Sequence, residues 1–254
     1  GITLCREVLT YAPNDPNALY LLGLGAAQLG DATTTREAFY AAWQITPERV
    51  DLLINFGNFL RETGEPLKAL PLLEKASVLS PQMPGVWKAL AVTQFKLNRF
   101  EAALASAEKL VGLAPQEATG WELAAGAAQQ LRDFDKAAAL VARGLTHLPQ
   151  SASLNYAMGQ LHREQGSFEE ASAAYLRAQE LGFSSADLYR NNAEALLETG
   201  KALDAVAFAR RGLEHYSTDI ALQQVVTRLH VETNAPGDPV GDLMTAAREH
   251  RTNA

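Results

Sequence analysis

Prolines recur every 34 residues along most of this chain, and this spacing constrains the fold more than any other feature. They stand at Pro13, Pro47, Pro81, Pro115 and Pro149. A second series in the same register is mostly glycine: Gly30, Gly64, Asn98, Arg132, Gly166 and Gly200. A third series is alanine: Ala69, Ala103, Ala137, Ala171 and Ala205. Three series in one register predict a solenoid of stacked helical repeats, because such a period is typical of that architecture.

Residues 151–184 show what one repeat contains. Its first half has residues at helical spacing, among them Tyr156, Gly159 and Arg163. Gly166 then ends the helix, because a residue without Cβ adopts the left-handed conformation at no steric cost. A second amphipathic run follows with Ala171, Tyr175 and Ala178. Each repeat is therefore predicted to be a helix, a short turn and a second helix.

These motifs resemble the tetratricopeptide repeat family. Trp87 and Trp121 occupy the early apolar position of that pattern, and Met158-Gly159 the Leu-Gly pair. The resemblance implies an all-α fold, a right-handed superhelix of 34-residue helix-turn-helix repeats. It divides the chain into a truncated repeat (1–15), six full repeats (16–219) and a further helix with a capping helix or another repeat (220–254). Thr35, Asn155 and Asn192 depart from the pattern, which predicts looser packing there.

Charge and composition exclude several classes of partner. The net charge is −7 and the isoelectric point is near 5.3, whereas nucleic acids and anionic membranes require a basic surface. A single cysteine, Cys5, excludes an internal disulfide framework and favours a reducing compartment. No segment approaches the roughly 18 consecutive apolar residues of a membrane span. We therefore expect a cytoplasmic protein, and the repeat type resembles bacterial arrays.

The two ends of the sequence give further expectations. The first helix, residues 2–11, would lack its partner, which leaves Leu4, Val8 and Leu9 exposed and indicates a fragment of a longer protein. Exposed terminal helices would also permit a homodimer. Pro71 lies inside a predicted helix and should bend it or delay its start. A short amphipathic helix is predicted over residues 240 to about 250.

In this family the inner faces of the first helices form a concave groove that binds peptides or partner helices. Leu24 and Ile54 add to its predicted apolar part. The residues predicted to bind a peptide are Tyr20, Asn55, Asn58, Arg61, Lys88, Phe95, Tyr156, Gln160, Arg163, Arg190, Asn191 and Glu194. Asn55 and Asn58 are the most specific signal, because an amide can donate to and accept from a peptide backbone. The two-carboxylate clamp of chaperone-binding members is not matched, since only Lys88 has a counterpart.

The sequence offers no catalytic, metal or cofactor motif. Gly23 and Gly25 resemble a dinucleotide loop but lie in a predicted helix that follows no strand. The histidines lack metal-ligand spacing, and Cys5 has no histidine partner. We therefore predict a non-enzymatic scaffold for protein partners. The alternative is a substrate-recruiting or dimerising repeat region of a larger bacterial enzyme, such as a glycosyltransferase, sulfotransferase or iron/2-oxoglutarate oxygenase.

Overall fold

Residues 1–233 are described by a computed structural model, in which they form fourteen α-helices and no strand. The predicted helix over 240–250 lies outside the described residues. Two compact units divide the chain between Ala137 and Ala138. The fold is thus an all-α helical repeat, as the 34-residue period predicts.

The N-terminal unit contains eight complete helices. They are α1 (Ile2–Tyr11), α2 (Pro16–Gln28), α3 (Ala32–Ile45), α4 (Val50–Glu62), α5 (Pro66–Leu79), α6 (Pro84–Lys96), α7 (Phe100–Leu113) and α8 (Ala118–Gln130). Consecutive helices pack against each other, and the first helices of successive repeats, α2, α4, α6 and α8, also contact one another in turn. A continuous apolar core runs from α2 to α6.

The boundary between the units falls within α9 (Phe134–His147). Five further helices complete the described part of the C-terminal unit. They are α10 (Ala152–Glu164), α11 (Phe168–Glu180), α12 (Ala186–Glu198), α13 (Ala202–His215) and α14 (Ile220–Thr233). Their core is a second apolar cluster that extends from α11 to α14.

Capping side chains explain where several helices begin. Asp15 accepts hydrogen bonds from the backbone N–H groups of Asn17 and Ala18, and Pro16 takes the first helical position, where no N–H is needed. Ser151 and Ser185 cap α10 and α12 in the same way. Residues adjacent in sequence thus stabilise these helix starts.

The turn between paired helices requires a left-handed backbone at one fixed position of every repeat. Each residue of the second series has a positive φ, including Asn98 at +56° and Arg132 at +65°. Arg132 breaks the sequence pattern but adopts the same conformation as the glycines. Its guanidinium lies 5.4 Å from the centroid of the Phe134 ring, a contact that offsets part of the steric cost.

Large side chains of second helices pack against small residues of first helices. A Cβ on Gly23 would lie 2.5 Å from Phe39 Cδ1, and a Cβ on Gly159 would lie 2.6 Å from Tyr175 Cδ1. Both rings are almost fully buried. The glycines are therefore required by close approach of the aromatic rings rather than by backbone conformation.

The proline and tryptophan positions are linked by a hydrogen bond. Trp87 Nε1 donates to the carbonyl of Pro81 at 2.7 Å, and Trp121 Nε1 donates to that of Pro115 at 2.9 Å. Trp121 is fully buried, whereas Trp87 is half-buried against the core. Both tryptophans therefore join the turn between repeats to the helix that follows it.

Departures from the family pattern have different structural outcomes. Thr35 is fully buried and its hydroxyl donates to the carbonyl of Asp31 at 2.7 Å, so it packs without an unpaired group. Asn192 is also fully buried, but neither polar atom of its amide has a partner within the described residues. Pro71 does not delay α5, which begins at Pro66.

Candidate functional site

A tyrosine and an asparagine join neighbouring first helices on the inner face of the N-terminal unit. Tyr20 lies on α2, and its hydroxyl accepts a hydrogen bond of 2.7 Å from Asn55 Nδ2 on α4. The Tyr20 ring packs at 6.2 Å from that of Phe39, and Tyr20 is only 8% exposed. Burial, and then the nearby Asp51 carboxylate, raise the pKa of the Tyr20 phenol. We call this contact the Tyr–Asn bridge.

Arg49 covers the Tyr–Asn bridge from the preceding turn. Its guanidinium carbon lies 4.2 Å from the centroid of the Tyr20 ring. Two hydrogen bonds to the Asp51 carboxylate, of 2.8 and 3.0 Å, and one of 2.7 Å to Asn17 Oδ1 fix its orientation. The hydrogen bonds from Arg49 hold the pKa of Asp51 below its usual value. Sequence reasoning missed Arg49, although it lies immediately before α4.

Asn58 and Arg61 lie further along the inner side of α4. Arg61 Nη1 donates to Asn58 Oδ1 at 2.8 Å, and Nη2 donates to Glu62 at 3.1 Å. The carbonyl of Arg61 accepts a hydrogen bond of 3.0 Å from Lys96 Nζ of α6. The structure thus brings together two of the predicted residues and fixes the orientation of the asparagine amide.

The remaining predicted residues of the N-terminal unit lie in different surroundings. Lys88 Nζ donates to Glu117 at 2.5 Å, so it pairs within the chain. Phe95 makes an edge contact with Phe100 at 5.4 Å and borders Gly126. Leu24 and Ile54 are half-buried against the apolar core.

The C-terminal unit repeats the Tyr–Asn bridge. The hydroxyl of Tyr156 on α10 accepts from Asn191 Nδ2 on α12 at 3.2 Å and from Gln160 Nε2 at 3.3 Å. Its ring stacks on Phe183 at 4.4 Å and packs against Tyr175 at 5.6 Å. Burial, followed by the Asp187 carboxylate, raises the pKa of the Tyr156 phenol.

An acidic side chain lies between two arginines beside this second bridge. Glu194 pairs with Arg163 at 3.8 Å and with Arg228 at 3.4 Å, around a depression of about 310 Å³. Arg163 Nε is buried and has no hydrogen-bond partner in the described residues. Arg190 pairs instead with Asp187. The predicted residues of this unit therefore fall into two groups, one at the bridge and one around Glu194.

Two predicted residues are less accessible than the helical spacing indicates. Tyr20 is 8% exposed and Asn191 is 5% exposed. The physical reason is that the fifth and sixth residues of a first helix face the adjacent first helix, where the bridge forms. Their role in binding a peptide stays a prediction, and it would be indirect.

The sequence contained a signal for the bridge that the helical spacing alone does not reveal. In both units 35 residues separate the tyrosine from its asparagine, which is one repeat and one residue. The second bridge follows the first by four repeats. Comparing residues at neighbouring positions of successive repeats, rather than residues within one helix, would have identified each tyrosine and asparagine as partners.

Within residues 1–233, no group of three or more His, Cys, Asp or Glu side chains is placed to hold a metal ion. Of the helices in this range, none combines the length and apolar character that crossing a bilayer requires.

Comparison with known families gives matches over most of the repeats. Tetratricopeptide repeat models match residues 60–127, 122–183 and 156–220. The chain belongs to the tetratricopeptide repeat family. Such repeats are scaffolds for protein–protein interaction in general, and their fold is typically non-catalytic. A search of the curated proteins gives no match.

Solved structures with the same fold come from several sources. PilF of Pseudomonas aeruginosa is 17% identical with a TM-score of 0.69, covering 84% of this chain and 97% of its own. A thermophilic tetratricopeptide repeat protein of Thermus thermophilus, TTC0263, is 24% identical with a TM-score of 0.57, covering 72% and 99%. A chain of the APC/C hetero-tetramer Cut9–Hcn1 is 14% identical with a TM-score of 0.67, covering 90% and 45%. At these identities the similarity shows the fold alone.

Proposed function

We propose that the inner face of each unit binds an extended segment of a partner protein, with the N-terminal unit gripping its backbone through Asn55 and Asn58. The observation that carries this proposal is that both amides are held in place yet keep free hydrogen-bonding groups. Asn55 uses one N–H for Tyr20, and Asn58 uses its oxygen for Arg61. Within the described residues, the Asn55 oxygen and the Asn58 amino group have no other partner.

Amides that are already ordered bind a peptide more effectively than mobile ones. The loss of rotamer freedom on binding usually opposes association. A side chain that a hydrogen bond already fixes has little of this freedom left to lose. The Tyr–Asn bridge orders Asn55, and the hydrogen bond from Arg61 orders Asn58. Contacts to backbone amides also tolerate many side chains, which suits a scaffold.

The C-terminal unit differs in the ligand chemistry that it favours. Arg163 and Glu194 are both partly exposed and form a long ion pair. Such a pair contributes little on its own and can exchange for charged groups of a ligand. We infer that this unit selects a segment by charge, whereas the N-terminal unit holds the backbone.

The test uses a peptide selected by display on the purified protein. The double variant Asn55→Ala with Asn58→Ala should weaken binding by about tenfold or more, because two hydrogen bonds to the ligand are lost. Gln44→Ala, which removes an exposed amide from a second helix, is the matched control. Affinities come from titration calorimetry, and melting curves confirm folding.

An affinity of the double variant equal to that of the Gln44→Ala control would contradict the inner-face assignment. A protein with this fold forms part of the hetero-tetramer Cut9–Hcn1, which is consistent with a role of the fold in complexes. That assembly is a property of Cut9–Hcn1 and not of this chain.

A further inference from the structure

A groove lies between the second helices α3 and α5 of the N-terminal unit. We call it the outer groove; its volume is about 890 Å³, within the range of ligand sites in proteins. Phe56 and Leu60 of α4 and Trp43 of α3 line its apolar part. None of the residues predicted to bind a peptide on the inner face lines it.

Large apolar side chains on the walls of the outer groove are exposed to solvent. Tyr40 is 53% exposed, and its ring packs at 5.8 Å from that of Trp43. Leu67, on the opposite wall, is 68% exposed and is followed one turn later by exposed Pro71. Single exposed apolar residues are common, but a contiguous set around a groove marks an interaction surface.

Cations surround this apolar surface. Arg36, Lys68 and Lys75 line the outer groove together with a single carboxylate, Glu37. Arg36 and Lys68 both pair with Glu65, just outside the lining, so one carboxylate serves two cations. The hydrogen bonds from Lys68 and Arg36 lower the pKa of Glu65.

Lys75 completes the cationic rim and is only loosely paired. It lies 3.7 Å from Glu48, and both side chains are well exposed. An exposed pair of this length contributes little to stability and leaves the lysine available to a ligand. Within the lining of the outer groove, three cations outnumber one carboxylate, and the charge of Glu65 and Glu48 just outside the lining balances this excess.

The same groove in the C-terminal unit shows that this lining does not follow from the repeat. It lies between α11 and α13, has a volume of about 460 Å³, and is lined by residues four repeats later. Leu176 replaces Tyr40, Ala207 replaces Pro71, and Asp204 replaces Lys68. Helix packing therefore supplies a groove in both units. The C-terminal lining also contains an aromatic residue, the buried Phe208, and two cations, Lys201 and Arg211, but these are matched in number by Glu169 and Asp204. Only the N-terminal groove of these two combines an exposed aromatic ring, Tyr40, with an excess of cations in its lining.

We propose that the outer groove is a docking site for an amphipathic helix of a partner protein that carries acidic residues beside its apolar face. The walls are helices whose backbone groups are already paired, so an extended ligand would find no backbone partners there, whereas a helix satisfies its own. Acidic residues flanking the apolar face would meet Arg36, Lys68 and Lys75. The proposal uses a different surface from the inner face, and each can fail without the other.

The test uses two synthetic helical peptides as probes. One presents leucine and tryptophan at spacings of three and four with glutamate at the remaining positions; the other replaces each glutamate with lysine. Fluorescence anisotropy should show that the acidic peptide binds and the basic one does not. Tyr40→Ser with Leu67→Ser should weaken binding about tenfold or more, because these residues supply the exposed apolar contact.

A matched control and a charge variant separate the contributions. Leu176→Ser with Leu203→Ser changes the same positions in the C-terminal unit and should leave binding unchanged. Lys68→Gln with Lys75→Gln removes two exposed cations without placing a carboxylate beside Glu65 or Glu48. It should weaken binding of the acidic peptide by about tenfold, and melting curves check that the fold is kept.

Four results would overturn the proposal. The acidic peptide could fail to bind, or both peptides could bind equally well. The serine variants of the two units could lose peptide affinity equally. Finally, sedimentation could show that the parent protein is a dimer and that Tyr40→Ser with Leu67→Ser dissociates it. The last result would make a second copy of the chain the occupant of the outer groove.

Discussion

The two units share their interior packing and the Tyr–Asn bridge but differ in the groove between their second helices. Gly23 and Phe39 of the N-terminal unit correspond to Gly159 and Tyr175 of the C-terminal unit, and the Tyr–Asn bridge occurs in both. By contrast, the grooves between second helices differ in volume and in lining. Buried positions are thus constrained by the repeat geometry, whereas exposed positions can diverge and carry specificity.

The largest expected effect tests the equivalence of the two interiors. Phe39→Ala and Tyr175→Ala should each lower the free energy of unfolding by about 3–5 kcal/mol, because each removes a buried ring and leaves a cavity against a glycine. Urea denaturation measures the change. Tyr175→Phe, which keeps the ring, serves as the control.

A loss confined to one of these two variants would contradict the equivalence of the two interiors. It would show that the two glycine–aromatic contacts contribute unequally in spite of their matching geometry.

A smaller effect tests the left-handed turn position, which the fold requires in every repeat. Gly166→Arg in the C-terminal unit should destabilise by about 1 kcal/mol, since a side chain is strained at a φ of +76°. Arg132→Gly in the N-terminal unit should change stability by less, because relief of the same strain is offset by loss of the contact with Phe134.

Denaturation of both variants checks the sign of each change. A stabilising Gly166→Arg would contradict the argument that position in the repeat, rather than residue type, sets this conformation.

The smallest effect concerns the two Tyr–Asn bridges at high pH. Burial raises the phenol pKa of Tyr20 and Tyr156, so the unfolded chain ionises first, near pH 10. The stabilising contribution is therefore complete below pH 10 and is lost as the pH rises toward the folded pKa. Melting temperatures between pH 8 and 11 should decline less steeply in Tyr20→Phe and in Tyr156→Phe.

Equal changes in slope would show that the two bridges lose the same stabilisation when their phenols ionise. An unchanged slope in both variants would show that the phenols remain open to solvent.

Most of the helical framework could be predicted, because helix caps and turns depend on neighbouring residues. The first helix has the predicted bounds, Ile2–Tyr11. The groups of the candidate site were less predictable, because side-chain partners come from other repeats. Lys88 pairs with Glu117 and Tyr20 with Asn55, each about one repeat away.

The repeat, its two helices and the left-handed turn follow from the sequence, because they depend on short-range sterics and on a period that recurs along the chain. Which polar groups are free and which are already paired depends on contacts between repeats, and the folded structure was needed to see them. The folded structure also revealed the outer groove, since Tyr40 and Leu67 belong to different repeats and face a common surface only after α3 and α5 both pack on α4. The number of residues between Tyr40 and Leu67 does not reveal how close their side chains lie in space.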